Sequence, residues 1–187
     1  IKKIFKKKKV IFSAISTHNG EELFCGRVHI NLKKKYKNII SIIIPRHIHR
    51  AQEIKEELNQ IGLNVYIHSS GKNIPNNTDV YLVDTFGETK SFLKLSKIAF
   101  MGKSIQGHGG QNPIEAATLG NRIIHGPNIE NFVEVYDFLE KLGISTKIKS
   151  YKDLEKLIIK FNRKKNYSNQ IRKKLAYTGK QILFNNE

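Results

Sequence analysis

The sequence predicts an α/β fold: a Rossmann-like parallel sheet with helices on both faces. Three observations carry that expectation. Ile39 to Ile44 is an apolar run broken only by Ser41, the pattern of a strand buried on both sides. Short runs of this kind alternate with stretches whose apolar residues recur at helical spacing, as in βαβ units. The residues best suited to chemistry fall just after the apolar runs, where a parallel sheet places its ligand-binding rim.

Val10 to Ser16 reads as the first strand and ends in a Ser-Thr-His-Asn-Gly20 turn. Glu21 to about Lys33 reads as a helix, weakened by Gly26. The strand Ile39 to Ile44 stops at Pro45. Ala51, Ile54, Leu58 and Ile61 then fall on one helical face, closed by Gly62. Asn64 to His68 and Asp79 to Val83 read as strands joined by a polar loop. Glu88 to Leu95 is a short helix and Ile98 to Met101 a short strand. A helix from Pro113, a strand Arg122 to His125 and a helix Asn131 to Leu142 follow, with Phe132, Val135, Leu139 and Leu142 as the last apolar stripe. Residues 1–150 are therefore expected to form one Rossmann-like domain. Residues 151–187 are expected to form a helical tail on or near it, with Leu154, Leu157, Ile158 and Phe161 marking its first helix.

The chain has 187 residues, 39% of them hydrophobic, and a formal charge of +17 from 33 Lys+Arg against 16 Asp+Glu. Such a charge suits anionic partners: phosphorylated substrates, nucleic acid or an anionic membrane surface. Ten Lys/Arg and two acids lie between Lys152 and Lys180, including Lys164 and Lys165. More lysines, Lys6 to Lys9 among them, crowd the start. The tail is either a solvated helical face or a surface for anionic lipid. A single cysteine, Cys25, excludes an intramolecular disulfide and a cysteine-based zinc site. No apolar run approaches the roughly 18 residues of a membrane span. The chain also lacks an initiator Met and a signal peptide's apolar region, and is read as a piece of something longer.

The densest motif is Gly107-His-Gly-Gly-Gln-Asn-Pro-Ile-Glu115, a glycine-rich turn running into a helix start. Pro113 suits the first helical position, where its missing N–H costs nothing. Free N–H groups there, behind a flexible loop, can hold a phosphate. Glu115 can accept hydrogen bonds from sugar hydroxyls. The alternative is a tight turn with Asn112 as an N-cap. Pro45-Arg46-His47-Ile-His49-Arg50 offers Arg46 to a phosphate. His47 and His49 share a face in an extended segment, but no clear third ligand supports a metal, and His108 and His125 read as loop residues. At Phe86-Gly87-Glu88 a glycine lets a ligand approach the backbone. Ser16, Thr17 and His18 offer hydroxyls and N–H groups to an anion, or form an ordinary capped turn. Neither a Gly-x-Gly-x-x-Gly nor a P-loop occurs, and no nucleophile–base pair stands out.

Taken in order, six stretches resemble the C-terminal half of the 3-deoxy-D-manno-octulosonic acid (Kdo) transferase family, the lipid A glycosyltransferases. They are Ser16-Thr-His-Asn-Gly-Glu-Glu22, Ile44-Pro-Arg-His47, Asp84-Thr-Phe-Gly-Glu88, Ala99-Phe-Met-Gly-Lys-Ser104, Gly109-Gly-Gln-Asn-Pro-Ile-Glu115 and Gly126-Pro-Asn-Ile-Glu-Asn-Phe132. The resemblance implies the C-terminal, donor-binding half of a GT-B glycosyltransferase. The donor would be CMP-Kdo and the acceptor a lipid A precursor at the cytoplasmic face of the inner membrane. It implies donor contacts from Pro45, Arg46, Phe86, Gly87, Glu88, Asn112, Pro113, Ile114 and Glu115. Ser16, Thr17, His18, Gly110 and Asn131 are further donor-side candidates.

The resemblance also implies no cofactor, no bound metal and no catalytic residue here, the family's base being a glutamate of an N-terminal acceptor domain. Gln111 stands where the family usually has His, and Phe86 where it usually has Met. Two competing readings stay open at this point: another GT-B enzyme using a UDP- or ADP-sugar, and a basic nucleic-acid-binding module. The second lacks aromatics interleaved with its lysine runs, and nucleic acid is not expected as a partner.

Overall fold

The computed structural model describes residues 9–71, 73–163 and 167–184. The lysines Lys6 to Lys8, Lys164 and Lys165 noted above lie outside them. Among the described residues seven strands form one sheet, every neighbouring pair parallel. They are β1 (Lys9–Thr17), β2 (Ile39–Pro45), β3 (Val65–Ile67), β4 (Val80–Leu82), β5 (Ile98–Met101), β6 (Arg122–His125) and β7 (Ser145–Lys147), in the order β3-β4-β2-β1-β5-β6-β7. The helices are α1 (Glu21–Lys33), α2 (Ala51–Gln60), α3 (Thr89–Leu93), α4 (Ile114–Thr118), α5 (Val133–Lys141), α6 (Tyr151–Asn162) and α7 (Tyr167–Phe184). The strand order reverses between β1 and β5, so the loops leaving these two strands part at one rim.

β2 shows how the two cores arise. All seven of its residues are buried. Ile39 and Ile43 face one core, with α1, α2 and α6. Ile40, Ile42 and Ile44 face the other, with α3, α4, α5 and α7. Alternation along one apolar strand thus feeds both layers. Gly26, which weakens α1 on propensity alone, is where α2 comes closest. A Cβ there would lie 2.6 Å from Leu58 Cδ2. The helix is held by that packing rather than by propensity.

Ser41 takes a position on β2 otherwise given to isoleucine. Its Oγ lies 2.8 Å from His29 Nδ1, and His29 Nε2 is 3.6 Å from Asp79. Lys33 Nζ is 2.6 Å from Asp79, whose other oxygen accepts from the Asn64 N–H. Ser41, His29 and Asp79 are buried, at the amino ends of the strands and away from the rim. This constellation ties α1, β2 and the turn before β4 together and has no access to a substrate. Against the desolvation that burial imposes, His29, the Asn64 N–H and Lys33 hold the Asp79 carboxyl well below the usual range.

Two expectations need correction. β7 was not legible: Ser145-Thr-Lys147 is a short polar edge strand whose apolar support comes from the flanking Ile144 and Ile148. His125 is not a loop residue. It ends β6, is 2% exposed and packs on the Tyr136 ring at 4.2 Å. Its Nδ1–H donates to Gly126 O at 2.7 Å. The α5 stripe also turns inward through Tyr136, which is fully buried together with Leu139. In the tail, α6 sends Leu154, Ile158 and Phe161 into the first core, and α7 sends Ile171 into the second. Arg122 fastens the tail: its guanidinium lies 4.1 Å over Phe161 and donates to Gly143 O, Thr146 Oγ1 and Tyr167 Oη.

Burial pushes His125 down to about 4, so the folded chain keeps it neutral where the unfolded chain would protonate it. The stability this represents is present above pH ~6.5, the ordinary histidine value, and is lost as pH falls toward 4. We expect an unfolding free energy that declines by on the order of 3 kcal/mol over that window. Urea titrations of His125→Gln should show much of that decline removed; an unchanged pH slope contradicts this assignment.

Candidate functional site

The rim is organised around one carboxylate. Glu21, the first residue of α1, is fully buried. Its Oε2 accepts from the N–H groups of His18 (3.0 Å) and Lys103 (2.7 Å). Its Oε1 accepts from Ser104 (3.0 Å), Ile105 (3.0 Å) and Gln106 (3.3 Å). The donors come from the loops after β1 and β5, the two that part at the switch point. A run of successive N–H groups closing on one oxygen is a backbone anion nest, here filled by the chain's own carboxylate. Sequence reading singled out the Ser16–Glu22 block but not this role, because four of the five donors lie 82 to 85 residues away.

Local backbone features hold the same place open. Ser16 has φ +53, and the β1–β2 register shifts between Ile15 and Thr17, so the strand bulges just before its rim residues. Gly102 is required opposite, since a Cβ there would run into the Ser16 carbonyl. Thr17 is buried, and its carbonyl accepts from the Arg46 N–H at 3.0 Å, joining the β1 and β2 loops. His18 Nδ1 lies 3.1 Å from Ser16 O. A carbonyl can only accept, so Nδ1 carries the proton. Pro45 ends β2 buried, whereas Arg46, His47 and His49 are exposed. Arg50 is bound to Glu22 (3.4 Å) and Glu53 (3.2 Å). Burial pushes the Glu22 carboxyl up, against the pull of its hydrogen bonds and Arg50.

The second half of the rim lies after β4 and β5. Phe86 is 76% exposed, a large apolar face given to solvent. Glu88 is held from two sides: the Thr85 hydroxyl donates to it, and His68 Nε2 lies 2.9 Å from it. His68 is in turn fixed by Tyr81 Oη at 2.6 Å and packs edge-on against Phe92 at 5.4 Å. Sequence reading left His68 at a strand end; the structure makes it the residue that orients Glu88. Next to it, Lys90 pairs with Glu115 at 3.5 Å and joins the start of α3 to α4. Lys90, Asn112, Ile114 and Glu115 line an open groove of about 590 Å³ that continues to Thr118 and Leu119.

Asn112 caps the start of α4: its Oδ1 accepts from the Ile114 N–H at 3.0 Å. Pro113 sits at the N-cap and the helix begins at Ile114, one residue later than expected. A phosphate at this helix start would therefore compete with Asn112 for one N–H. The glycine loop before it is stitched from behind. Asn128 donates to the carbonyls of Ile105 and Gly107, Glu130 accepts from the Gly109 N–H at 2.6 Å, and the Asn131 amide lies over Gly109. The Asn131 backbone N–H donates to the Gly109 carbonyl, and Gly110 packs against Asn128 and Ile129. Gln111 is pinned by its carbonyl, which accepts from Tyr136 Oη at 2.8 Å.

His47 and His49 do approach each other, ring centres 5.7 Å apart, with His18 5.5 Å from His47. Among the described residues no group of three His, Cys, Asp or Glu is placed to hold a metal ion. No helix among them is long and apolar enough to cross a membrane. The rim thus divides into a cationic half after β1 and β2 and a half bearing Glu88, Glu115 and Phe86 after β4 and β5.

Known proteins are similar to this chain in sequence and in fold. The chain is 31% identical along its whole length to the 3-deoxy-D-manno-octulosonic acid transferase of Haemophilus influenzae, of which it spans 43%. It is 31% identical over 139 residues to the transferase of the same name from Aquifex aeolicus, of which the match spans 38%. The chain therefore spans about two fifths of the length of these relatives. Among solved structures, the C-terminal CMP-Kdo binding domain of WaaA from Acinetobacter baumannii superposes with a TM-score of 0.80 at 25% identity, over 91% of each chain. The trehalose-6-phosphate synthase OtsA shares the fold alone, with a TM-score of 0.55 at 10% identity over 94% of this chain and 41% of that one. No family model matches the chain.

Glu21→Gln should open the rim without unfolding the sheet. The amide keeps one acceptor and turns an NH2 toward backbone donors, so charge-assisted bonds are lost at about 1.5–3 kcal/mol each when unreplaced. We expect stability to drop by on the order of 3 kcal/mol. Amide exchange should accelerate at Lys103 to Gln106 first. Uniform acceleration across the sheet, or no change at that loop, contradicts the role.

Proposed function

The chain belongs to the 3-deoxy-D-manno-octulosonic acid transferase family, as a GT-B-type C-terminal domain, and on that premise we propose that it is the donor-binding half of a glycosyltransferase. The reaction would transfer Kdo from CMP-Kdo to a lipid A precursor in lipopolysaccharide biosynthesis. The observation that carries this reading is the joint match of sequence along the whole chain and of fold to a CMP-Kdo-binding domain.

In this reading Arg46 meets the phosphate. Its side chain is exposed at the rim and makes no ion pair among the described residues. Its positive charge would stabilise the phosphate as the Kdo–phosphate bond breaks. Glu88, aimed by His68 and Thr85, and Glu115 would accept hydrogen bonds from ribose or sugar hydroxyls. Pro45, Gly87, Pro113 and Ile114 would shape the groove, and exposed Phe86 would cover a flat ligand face. Ser16, Thr17, His18 and Gly110 would border the donor. On the family resemblance the catalytic base would be a glutamate outside the two fifths of the relatives that this chain spans, so the chain alone should bind CMP without turning over CMP-Kdo.

A lipid A precursor as acceptor would place the work at the cytoplasmic face of the inner membrane, and the exposed basic residues of the tail would suit that surface. Lys152, Lys156, Lys160, Arg163, Arg172, Lys173 and Lys174 are all exposed or partly so. Each basic residue near anionic lipid contributes roughly 1 kcal/mol, within a Debye length. Co-sedimentation with anionic rather than neutral vesicles, weakening as salt rises, is the expected result. Charge reversal at Lys173 and Lys174 that leaves it intact assigns the tail to solvent.

Arg46→Ala tests the donor reading. Calorimetry should show CMP binding weakened by about 1.5–3 kcal/mol, the value of a charged hydrogen bond, and cytidine binding little changed. Equal losses for both ligands would remove Arg46 from the phosphate.

A further inference from the structure

The loops after β1 and β2 gather three imidazoles and two guanidiniums. The His18 and His47 rings meet edge to face with centres 5.5 Å apart, and His49 lies 5.7 Å from His47. Arg46 and Arg50 flank them. The nearby carboxylates are committed elsewhere: Glu22 and Glu53 to Arg50, and Glu21 to the backbone nest. Among the described residues the side chains of Arg46, His47 and His49 make no hydrogen bond or ion pair. His18 donates from Nδ1 to Ser16 O, which leaves its Nε2 for a second partner. Arg46 stands without a carboxylate partner beside three imidazoles, at the carboxyl ends of two parallel strands, an arrangement suited to an anion.

We propose that His18, His47 and His49 form, with Arg46, an oxyanion seat that takes up a proton when a phosphate or carboxylate of the donor enters it. The proposal rests on the donor-binding reading and adds the linkage to it. Local desolvation and then the neighbouring His18, His49, Arg46 and Arg50 keep His47 below the usual histidine range. An entering anion reverses the sign of its surroundings and favours imidazolium. The proton then binds with the ligand, and anion affinity rises as pH falls. Arg46 alone would give no such coupling, because a guanidinium does not titrate.

Isothermal calorimetry of the full chain, in two buffers of different ionisation enthalpy near neutral pH, counts the protons. The probes are CMP, free Kdo and cytidine. The CMP phosphate, with a second pKa of about 6, can only lose protons to a cationic site that prefers its dianion, so net uptake belongs to the protein. We expect uptake with CMP, with Kdo, or with both, according to which oxyanion occupies the seat, and none with cytidine. Affinity for that probe should rise about threefold to tenfold between about pH 8 and pH 6.5, within the limit of tenfold per pH unit for one linked proton.

His47→Gln should abolish uptake while the melting temperature holds. Should that variant unfold, histidine ring resonances of the unmodified chain, followed with and without CMP or Kdo, must show His47 titrating at higher pH in the complex. CMP and Kdo binding with no uptake, or equal uptake with cytidine, overturns the seat and leaves the donor reading standing. No binding of CMP or Kdo at any pH overturns both.

Discussion

The geometry of the rim depends on one internal ion contact, the Glu21 carboxylate in its nest of five backbone N–H groups. A parallel sheet whose strand order reverses leaves a gap where loops part, and a ligand normally fills it. Here a carboxylate of the chain fills it and fixes the loops after β1 and β5 against each other. The bulge at Ser16, the close approach at Gly102 and the bond from Arg46 N–H to Thr17 O lie around that fixed point. The cost of burying a charge is offset only because both oxygens are fully engaged. The proposed donor contacts therefore lie outward of the switch point, at Arg46 and the histidines on one side and at Glu88, Asn112 and Glu115 on the other.

The two sides are supported differently. The acidic side is braced by side chains: His68 and Thr85 on Glu88, Lys90 on Glu115, and Asn128, Glu130 and Asn131 behind the glycine loop. Ordering of this kind lowers the entropic cost of meeting a ligand. The basic side carries Arg46, His47 and His49 exposed and without carboxylate partners among the described residues, with Arg50 neutralised by Glu22 and Glu53. A nucleotide bearing an acidic sugar matches that division, with neutral hydroxyls for the carboxylates and oxyanions for the cations.

Much of this architecture was legible in the residues. Ile39–Ile44 and Ile98–Met101 announce buried parallel strands because both faces of each are apolar. Ala51, Ile54 and Leu58 mark α2 because its other face meets water. β7 carried no such signal, since Ser145-Thr-Lys147 relies on isoleucines outside the strand. His125 misled because a histidine before Gly-Pro reads as a turn, whereas the Tyr136 ring and the Gly126 carbonyl hold it inside. At the rim, sequence blocks could mark Glu21 and Glu88 as notable but not say what holds them. Glu21 meets donors more than 80 residues away, and Glu88 meets His68 across a polar loop with no local periodicity. Tertiary hydrogen bonds of that span leave no pattern in one sequence.

The central claim is that this rim is a CMP-donor site, and a crystal structure of the chain soaked with CMP tests it most directly. The account predicts the nucleotide across the carboxyl ends of the strands, its phosphate on Arg46 and its ribose near Glu88 or Glu115. CMP bound instead in the groove between α2 and β3, lined by Lys55, Tyr66 and Ser69, with the rim empty, would contradict it.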